Sequence, residues 1–430
     1  MDKYINSLLA FMDESVCNFW AVNTIKKMLT YAGYEEKCLA SAFSANPGDK
    51  FFVTKNHSAI FAVSVGKKPV NETGFKIISA HSDSPCFRIK PNPEMKCEGG
   101  IVKLNTEVYG GPILYTWFDR PLSLAGRVIV KGKDALHPET KLCKIEKPIL
   151  IIPHLAIHFN RAVNEGNPLS KQADMLPILA KINNDLSEKN LLVNYIAENI
   201  KVAVEDILDF DLFIYATEKA QLVGLNDEFV SSGRLDDLSM AHCAITALLE
   251  CTDDDATCVA AIFDNEETGS GTKQGAASPV LSNVLHRVAL SQGATAEQFY
   301  QAVAKSFMIS ADNAHAFHPN YAGKYDPTNH PSLGGGPVIK INANCKYMSD
   351  AHSAAVFASL CKEAGVPVQY FVNHSDVAGG STLGNIFTSQ IDIEGVDVGN
   401  GVLAMHSVRE TGSVFDHIAM IKVMSKFFSK

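Results

Sequence analysis

Two periods of hydrophobic and polar positions alternate along this chain. Phe75-Lys-Ile-Ile-Ser-Ala80 and Ala256-Thr-Cys-Val-Ala-Ala-Ile-Phe263 are short apolar runs bounded by polar residues, and each reads as a strand. Phe307–Ala311, Val338–Asn342 and Val366–Val372 have the same character. Between them, Leu238, Ala241, Ala244, Ile245 and Leu248 recur three and four apart, which predicts a helix over Leu238–Glu250. A second helix is expected over His352–Ala364, with Gly365 as its stop signal. Strands alternating with helices imply crossover units, hence an α/β fold with a mainly parallel sheet flanked by helices.

Residues 88–215 follow a different pattern. Pro and Gly clusters (Pro91, Pro93, Gly99, Gly100, Gly110, Gly111, Pro112) separate short β-type runs such as Gly126–Lys131 and Pro148–Ile152. This predicts an inserted, mostly antiparallel β domain at 88–215, with 1–87 and 216–430 forming one discontinuous α/β domain.

At 430 residues, 46% hydrophobic and 20% charged, the chain can bury a large core. A formal charge of -9 and the lack of a basic stripe argue against nucleic acid as a partner. The most apolar run, Pro148–Phe159, is broken by Pro153, His154 and His158 and is shorter than the roughly 20 residues needed to cross a bilayer. The N-terminal apolar stretch, Leu8–Met12, is too short for the core of a signal peptide. Ten dispersed cysteines without a C-x-x-C pair suit reduced thiols, so a cytoplasmic protein without membrane segments is expected.

Chemistry-bearing residues collect after the strands. Phe75–Ala80 runs into His81-Ser-Asp83, Ala256–Phe263 into Asp264-Asn-Glu266-Glu267, and Phe307–Ala311 into Asp312-Asn-Ala-His315. Arg234-Leu-Asp236-Asp237 opens a helix, and Val402–Met405 ends in His406. Ligands of open α/β sheets bind beyond the carboxyl ends of the strands, so these clusters are expected to converge. Two histidines and several carboxylates without cysteine suit divalent Zn, Co or Mn, and five candidate ligands exceed the three that a single catalytic zinc needs. In the Glu266-Glu267 pair, one carboxylate could hold a metal while the other faces a water as general base.

These blocks, together with Ser310–Asn320, Gly336–Lys340 and His406, resemble in order the signature blocks of the aspartyl aminopeptidase family of dinuclear zinc metallo-aminopeptidases, over nearly the whole chain. The resemblance implies that His81 and Asp312 hold one metal, Glu267 and His406 the other, and Asp236 bridges them. It also implies that Glu266 is the general base, with Asp83 beside it orienting the His81 imidazole. His158, in Leu155–Arg161, would reach a neighbouring subunit's active site, so that dimers assembling through the inserted domain, commonly into dodecamers, complete catalysis. His315 is expected to contact substrate, Lys340 to pair the substrate's acidic side chain, and Asp376 to hold its free amine. Gly379–Gly384 would offer backbone N–H groups.

The family's N-terminal Ser-Pro-Thr-Pro-Phe-His-type segment is replaced here by Ser15-Val-Cys-Asn-Phe-Trp20, with no ligand lost. His286, His330, His374 and His417 match no block and are expected on solvated surface, while Asp237 is expected to cap its helix. The implied activity is release of N-terminal Asp or Glu from peptides. The alternatives are a broad-specificity aminopeptidase, an N-acyl amino acid deacylase, or an assembly protein that keeps a vestigial site.

Overall fold

The computed structural model describes residues 2–182, 190–252 and 255–430. The chain divides into two compact units, one made of Met1–Asp83, Ala220–Met405 and Glu410–Lys430, the other of Ser84–Lys219 and His406–Arg409.

The first unit is built on a nine-stranded sheet: β1 (Glu35–Glu36), β2 (Lys50–Lys55), β3 (Ala59–Ser64), β4 (Phe75–His81), β5 (Thr257–Phe263), β6 (Phe307–Ala311), β7 (Val338–Lys340), β8 (Gln369–Phe371) and β9 (Glu394–Gly399). Their spatial order is β1-β2-β3-β5-β4-β6-β9-β7-β8. The central pairs β5–β4, β4–β6 and β6–β9 are parallel, while β3–β5 and β9–β7 are antiparallel. Every residue of β5 is buried, as a strand covered on both faces requires.

Alternation along the central strands divides two cores. Ile78, Ala80, Cys258, Ala260 and Ile262 face one, whereas Ile77, Val259, Ala261 and Phe263 face the other. The first core also receives α1 (Lys3–Glu14), α2 (Leu235–Leu249), α3 (Ala351–Ala364) and α4 (Val414–Phe428). Each large aliphatic or aromatic side chain buried there contributes about 1.5–3 kcal/mol. A smaller five-stranded sheet brings Glu410–Ser413 beside Phe229–Ser232 and Gly401–Leu403.

The second unit carries a six-stranded sheet whose pairings are all antiparallel, Glu139–Lys144, Leu122–Val130, Ile207–Ala216, Cys86–Lys96, Ile101–Tyr109 and Ile178–Lys181 in spatial order. Gly126 is required in Leu122–Val130, because a Cβ there would lie 2.0 Å from the Asp211 carbonyl oxygen. Leu155, Ile157 and Phe159 are exposed.

The α/β class with a mostly antiparallel companion agrees with the sequence pattern, and the differences are local. Only Gln369–Phe371 of the run beginning at Val366 is a strand. The Val366 N–H closes α3 by donating to the Cys361 carbonyl, and Pro367 has no N–H for a ladder. Pro148–Ile152 forms only isolated bridges at Leu150 and Ile151. Among the described residues, no helix is long and apolar enough to cross a membrane.

Candidate metal centre

Parallel strands that stop at one level place their following residues side by side. His81 closes β4 opposite Phe263, the last residue of β5, and Ser310 of β6 pairs with Ser79 of β4. His81, Asp264 and Asp312 therefore emerge at one edge of the sheet. The His81 Nε2 lies 3.5 Å from Asp236 Oδ1, 3.8 Å from Asp312 Oδ1 and 4.0 Å from Glu266 Oε2. One nitrogen or oxygen from each of His81, Asp236, Asp237 and Asp312 lies within 4.8 Å of the others, and His81, Glu266 and Glu267 form a second such group.

Local backbone explains these placements. Asn265 adopts a left-handed conformation, which Asn tolerates, and starts a short 3₁₀ turn at Glu266–Thr268. The tandem glutamates thus sit in a tight turn. The turn's first two N–H groups, from Glu266 and Glu267, donate to Asp83 Oδ1 and Oδ2 at 3.1 and 3.2 Å. Asp83 also meets His81, whose Nδ1 lies 3.0 Å from the Asp83 carbonyl oxygen and 3.3 Å from Oδ1.

The electrostatics are those of a site short of positive charge. Burial alone would lower the His81 pKa, but Asp237, Asp236, Asp312 and Asp83 raise it well above the usual imidazole range. Burial pushes Glu266 up to about 8, with Asp312, Asp83 and Asp236 adding to the shift against the opposing pull of His81. Burial and the same crowding hold Glu267 and Asp237 well above ordinary carboxylates. Asp237 Oδ1 is buried and, among the described residues, accepts no hydrogen bond. Imidazole and carboxylate donors packed this closely away from water fit a divalent cation, which would neutralise them.

Other expected residues are placed as follows. Lys340 is buried and donates to Asp312 Oδ2 at 3.0 Å. Its ammonium lies 5.6 Å from the Tyr347 ring centroid. His315 is exposed and stacks edge-on against Phe371. Asp376 lies in a turn with its side chain 93% accessible and its Oδ2 3.9 Å from His374 Nδ1. In the second unit, His158 sits in an exposed 3₁₀ turn, and the His406 Nδ1 is 3.1 Å from the Gly111 carbonyl oxygen.

Two expectations fail. Asp237 does not cap its helix: Arg234 occupies the N-cap position, and Asp237 instead accepts the His81 backbone N–H at 3.0 Å. His417 is buried, not solvated, because α4 packs against α2 and sets His417 Nε2 3.0 Å from His242 Nδ1.

Sequence reading missed two supporting groups. Glu410 accepts the Asp236 backbone N–H at 3.0 Å from the smaller sheet. Asn18 donates to both oxygens of Asp264 at 3.1 and 3.2 Å. Burial and neighbouring Asp83 push that carboxyl up to about 7. Asn18 lies within Ser15–Trp20, so the atypical segment does contact the edge that carries the glutamates.

Comparison with known proteins gives a family. Residues 11–428 match the profile of the aminopeptidase I zinc metalloprotease (M18) family. The chain is 52% identical over 427 residues to a probable M18 family aminopeptidase 2 of Clostridium novyi, covering 99% of both chains. It is 40% identical over 424 residues to the Pseudomonas aeruginosa protein of the same name, covering 98% of this chain and 97% of that one. Among solved structures, it resembles a chain of the cryo-EM structure of the Ape4 and Nbr1 complex, with TM-score 0.94, 34% identity and coverage of 99% and 85%. An M18 aminopeptidase from Thermotoga maritima, at 24% identity, shares the fold with TM-score 0.86 and coverage of 99% and 96%. The chain is a member of the M18 family of zinc aminopeptidases, hydrolases that act on peptides.

Proposed function

We propose that this aminopeptidase releases N-terminal Asp or Glu from peptides, using two divalent ions, most simply zinc. The observation that carries the reading is the gathering of His81, Asp236, Asp237 and Asp312 within 4.8 Å at one sheet edge. His81 and Asp312 would hold one ion, with Asp236 shared. On the resemblance, Glu267 and His406 would hold the second. Bound there, such ions polarise a carbonyl oxygen and lower the pKa of a coordinated water.

The remaining tasks belong to the chain's own side chains. Glu266, whose Oε2 faces His81 Nε2, takes the proton from the attacking water and returns it to the leaving amine. Asp83 orients the His81 ring and holds the backbone of the glutamate turn. Lys340 supplies a desolvated cation for an acidic substrate side chain, and the Asp312 oxygen that it touches keeps it placed. His315 and Asp376 would contact substrate, Asp376 through the free amine.

Assembly is part of the same proposal. The exposed apolar Leu155, Ile157 and Phe159 flank His158, a composition suited to burial against a second copy of the chain. Dimers formed there, building toward a dodecamer in the cytoplasm, would place His158 in a neighbour's site.

The test is hydrolysis of Asp-, Glu- and Leu-anilides and of N-acyl amino acids, after chelation and readdition of Zn, Co or Mn. Metal-dependent cleavage favouring Asp and Glu supports the proposal. Equal rates on Leu would leave a broad aminopeptidase, cleavage confined to N-acyl amino acids a deacylase, and no activity with any metal a vestigial site.

A further inference from the structure

The elements that carry the carboxylates meet again at their opposite ends, where two thiols come together. Cys251 follows the C-cap of α2, whose first turn holds Asp236. Cys258 is the second residue of β5, which leads at its far end into Asp264–Glu267. Their Sγ atoms are 3.9 Å apart. Both thiols also converge on one acceptor, the Phe428 carbonyl oxygen at the end of α4, at 3.5 and 3.6 Å. A shared acceptor brings the two sulfurs into proximity, and because S–H is a weak donor the arrangement is cheap to give up.

Access differs between the two. Cys258 is fully buried, whereas Cys251 is partly exposed, so a reagent from solvent reaches Cys251 first. Cys17, Cys143 and Cys361 are buried, so a reagent from solvent does not meet them first. Cys38 and Cys345 are exposed; hydrogen bonds from Ala40 and Ser41 lower the Cys38 thiol, so Cys345 serves as the surface standard.

We propose that Cys251 and Cys258 are a redox-active pair, a modification site that takes a low-molecular-weight disulfide as its oxidant. The Cys251 thiolate attacks one sulfur of the small disulfide, cleaving that S–S bond and releasing one thiol, so that Cys251 carries a mixed disulfide. The Cys258 thiolate then attacks the Cys251 sulfur and expels the second thiol. Two protein thiols become one disulfide and the small disulfide becomes two thiols, with two electrons passing to the oxidant and the two protons to the departing thiolates. Closing the bond brings the sulfurs nearer by roughly 2 Å, within reach of a side-chain rotation at Cys251, which lies outside regular structure.

The bond ties the end of α2 to the start of β5, at the end of the strand opposite the glutamate turn. Oxidation should therefore stiffen this corner and leave peptide hydrolysis unchanged.

The experiment treats the full chain with oxidised glutathione, blocks remaining thiols and maps the peptides by mass spectrometry. Expected is a peptide linkage between Cys251 and Cys258 with loss of two hydrogens, reversed by dithiothreitol, and a melting temperature raised by about 2–5 °C. In Cys258→Ser the first step has no second, so Cys251 retains glutathione. In Cys251→Ser, Cys258 stays unmodified. Wild-type protein that retains glutathione on Cys251 beside a reduced Cys258 would overturn the proposal, as would modification confined to Cys38 and Cys345. These readouts are independent of whether the peptidase assignment holds.

Discussion

His81 and Asp83 stand two residues apart at the end of β4 yet face each other, the imidazole Nδ1 lying 3.0 Å from the Asp83 carbonyl oxygen and 3.3 Å from its Oδ1. That contact fixes which nitrogen turns away: Nε2 is left facing Asp236, Asp312 and Glu266. Because the same carboxylate accepts the Glu266 and Glu267 N–H groups, Asp83 sets the ring and the glutamate turn together. Asp83→Asn keeps the shape but loses the charge and one acceptor. It should lower metal affinity and kcat each by about 10–100-fold, read by metal titration and steady-state kinetics.

Glu266→Gln is expected to bind metal as the wild type does, while kcat falls by about 10²–10⁴-fold, the usual contribution of a positioned base. Elemental analysis beside an anilide assay separates the two effects. Near-normal turnover would assign the proton transfer elsewhere.

Lys340→Ala should cost N-terminal Asp and Glu substrates about 10–100-fold more in kcat/KM than a Leu substrate, the worth of one buried charge-assisted hydrogen bond. The pair with Asp312 defines the contrary result. A lysine that serves only that carboxylate would, on removal, weaken all three substrates equally and reduce metal content.

Stability should fall in acid through a buried histidine pair. His242 Nδ1 is 3.0 Å from His417 Nε2, and their outer nitrogens meet Ser7 Oγ at 3.0 Å and Cys243 Sγ at 3.4 Å. No carboxylate pairs with either ring among these contacts. Burial lowers His242 to about 3, and burial together with His242 lowers His417 well below the usual range. A depressed histidine is neutral in the fold and charged when unfolded, so its contribution is complete above about pH 6.5 and drains away as pH falls toward 3. Each ring contributes a slope of up to about 1.4 kcal/mol per pH unit in that window. Urea midpoints between pH 7.5 and 5 should be less steep for His417→Gln than for wild type, and an unchanged slope would contradict the assignment.

What the sequence revealed follows what strands impose locally. His81, Asp264 and Asp312 were legible because each ends an apolar run, and the carboxyl end of a parallel strand is where ligands bind. The burial of Lys340 was hidden because alternation identifies a face but not whether another layer covers it. Asp237 was misread because a helix start usually wants a capping acid, and nothing local announced that the His81 N–H would claim it. Glu410 and His417 owe their places to partners about 175 positions away, Asp236 and His242, which no periodicity can report.

The central ladder has a consequence beyond architecture. Phe263 lies opposite His81 and Ser310 opposite Ser79, so the spacing among these groups is ruled by main-chain pairing before any side chain is chosen. Slipping β6 by one residue would present Ala311 or Asn313 where Asp312 now stands and turn the carboxylate to the far side. The sheet is in this sense a vernier. An engineer can repaint the loops around it, but a bulge cut into β4, β5 or β6 far from the reaction would detune the coordination all the same.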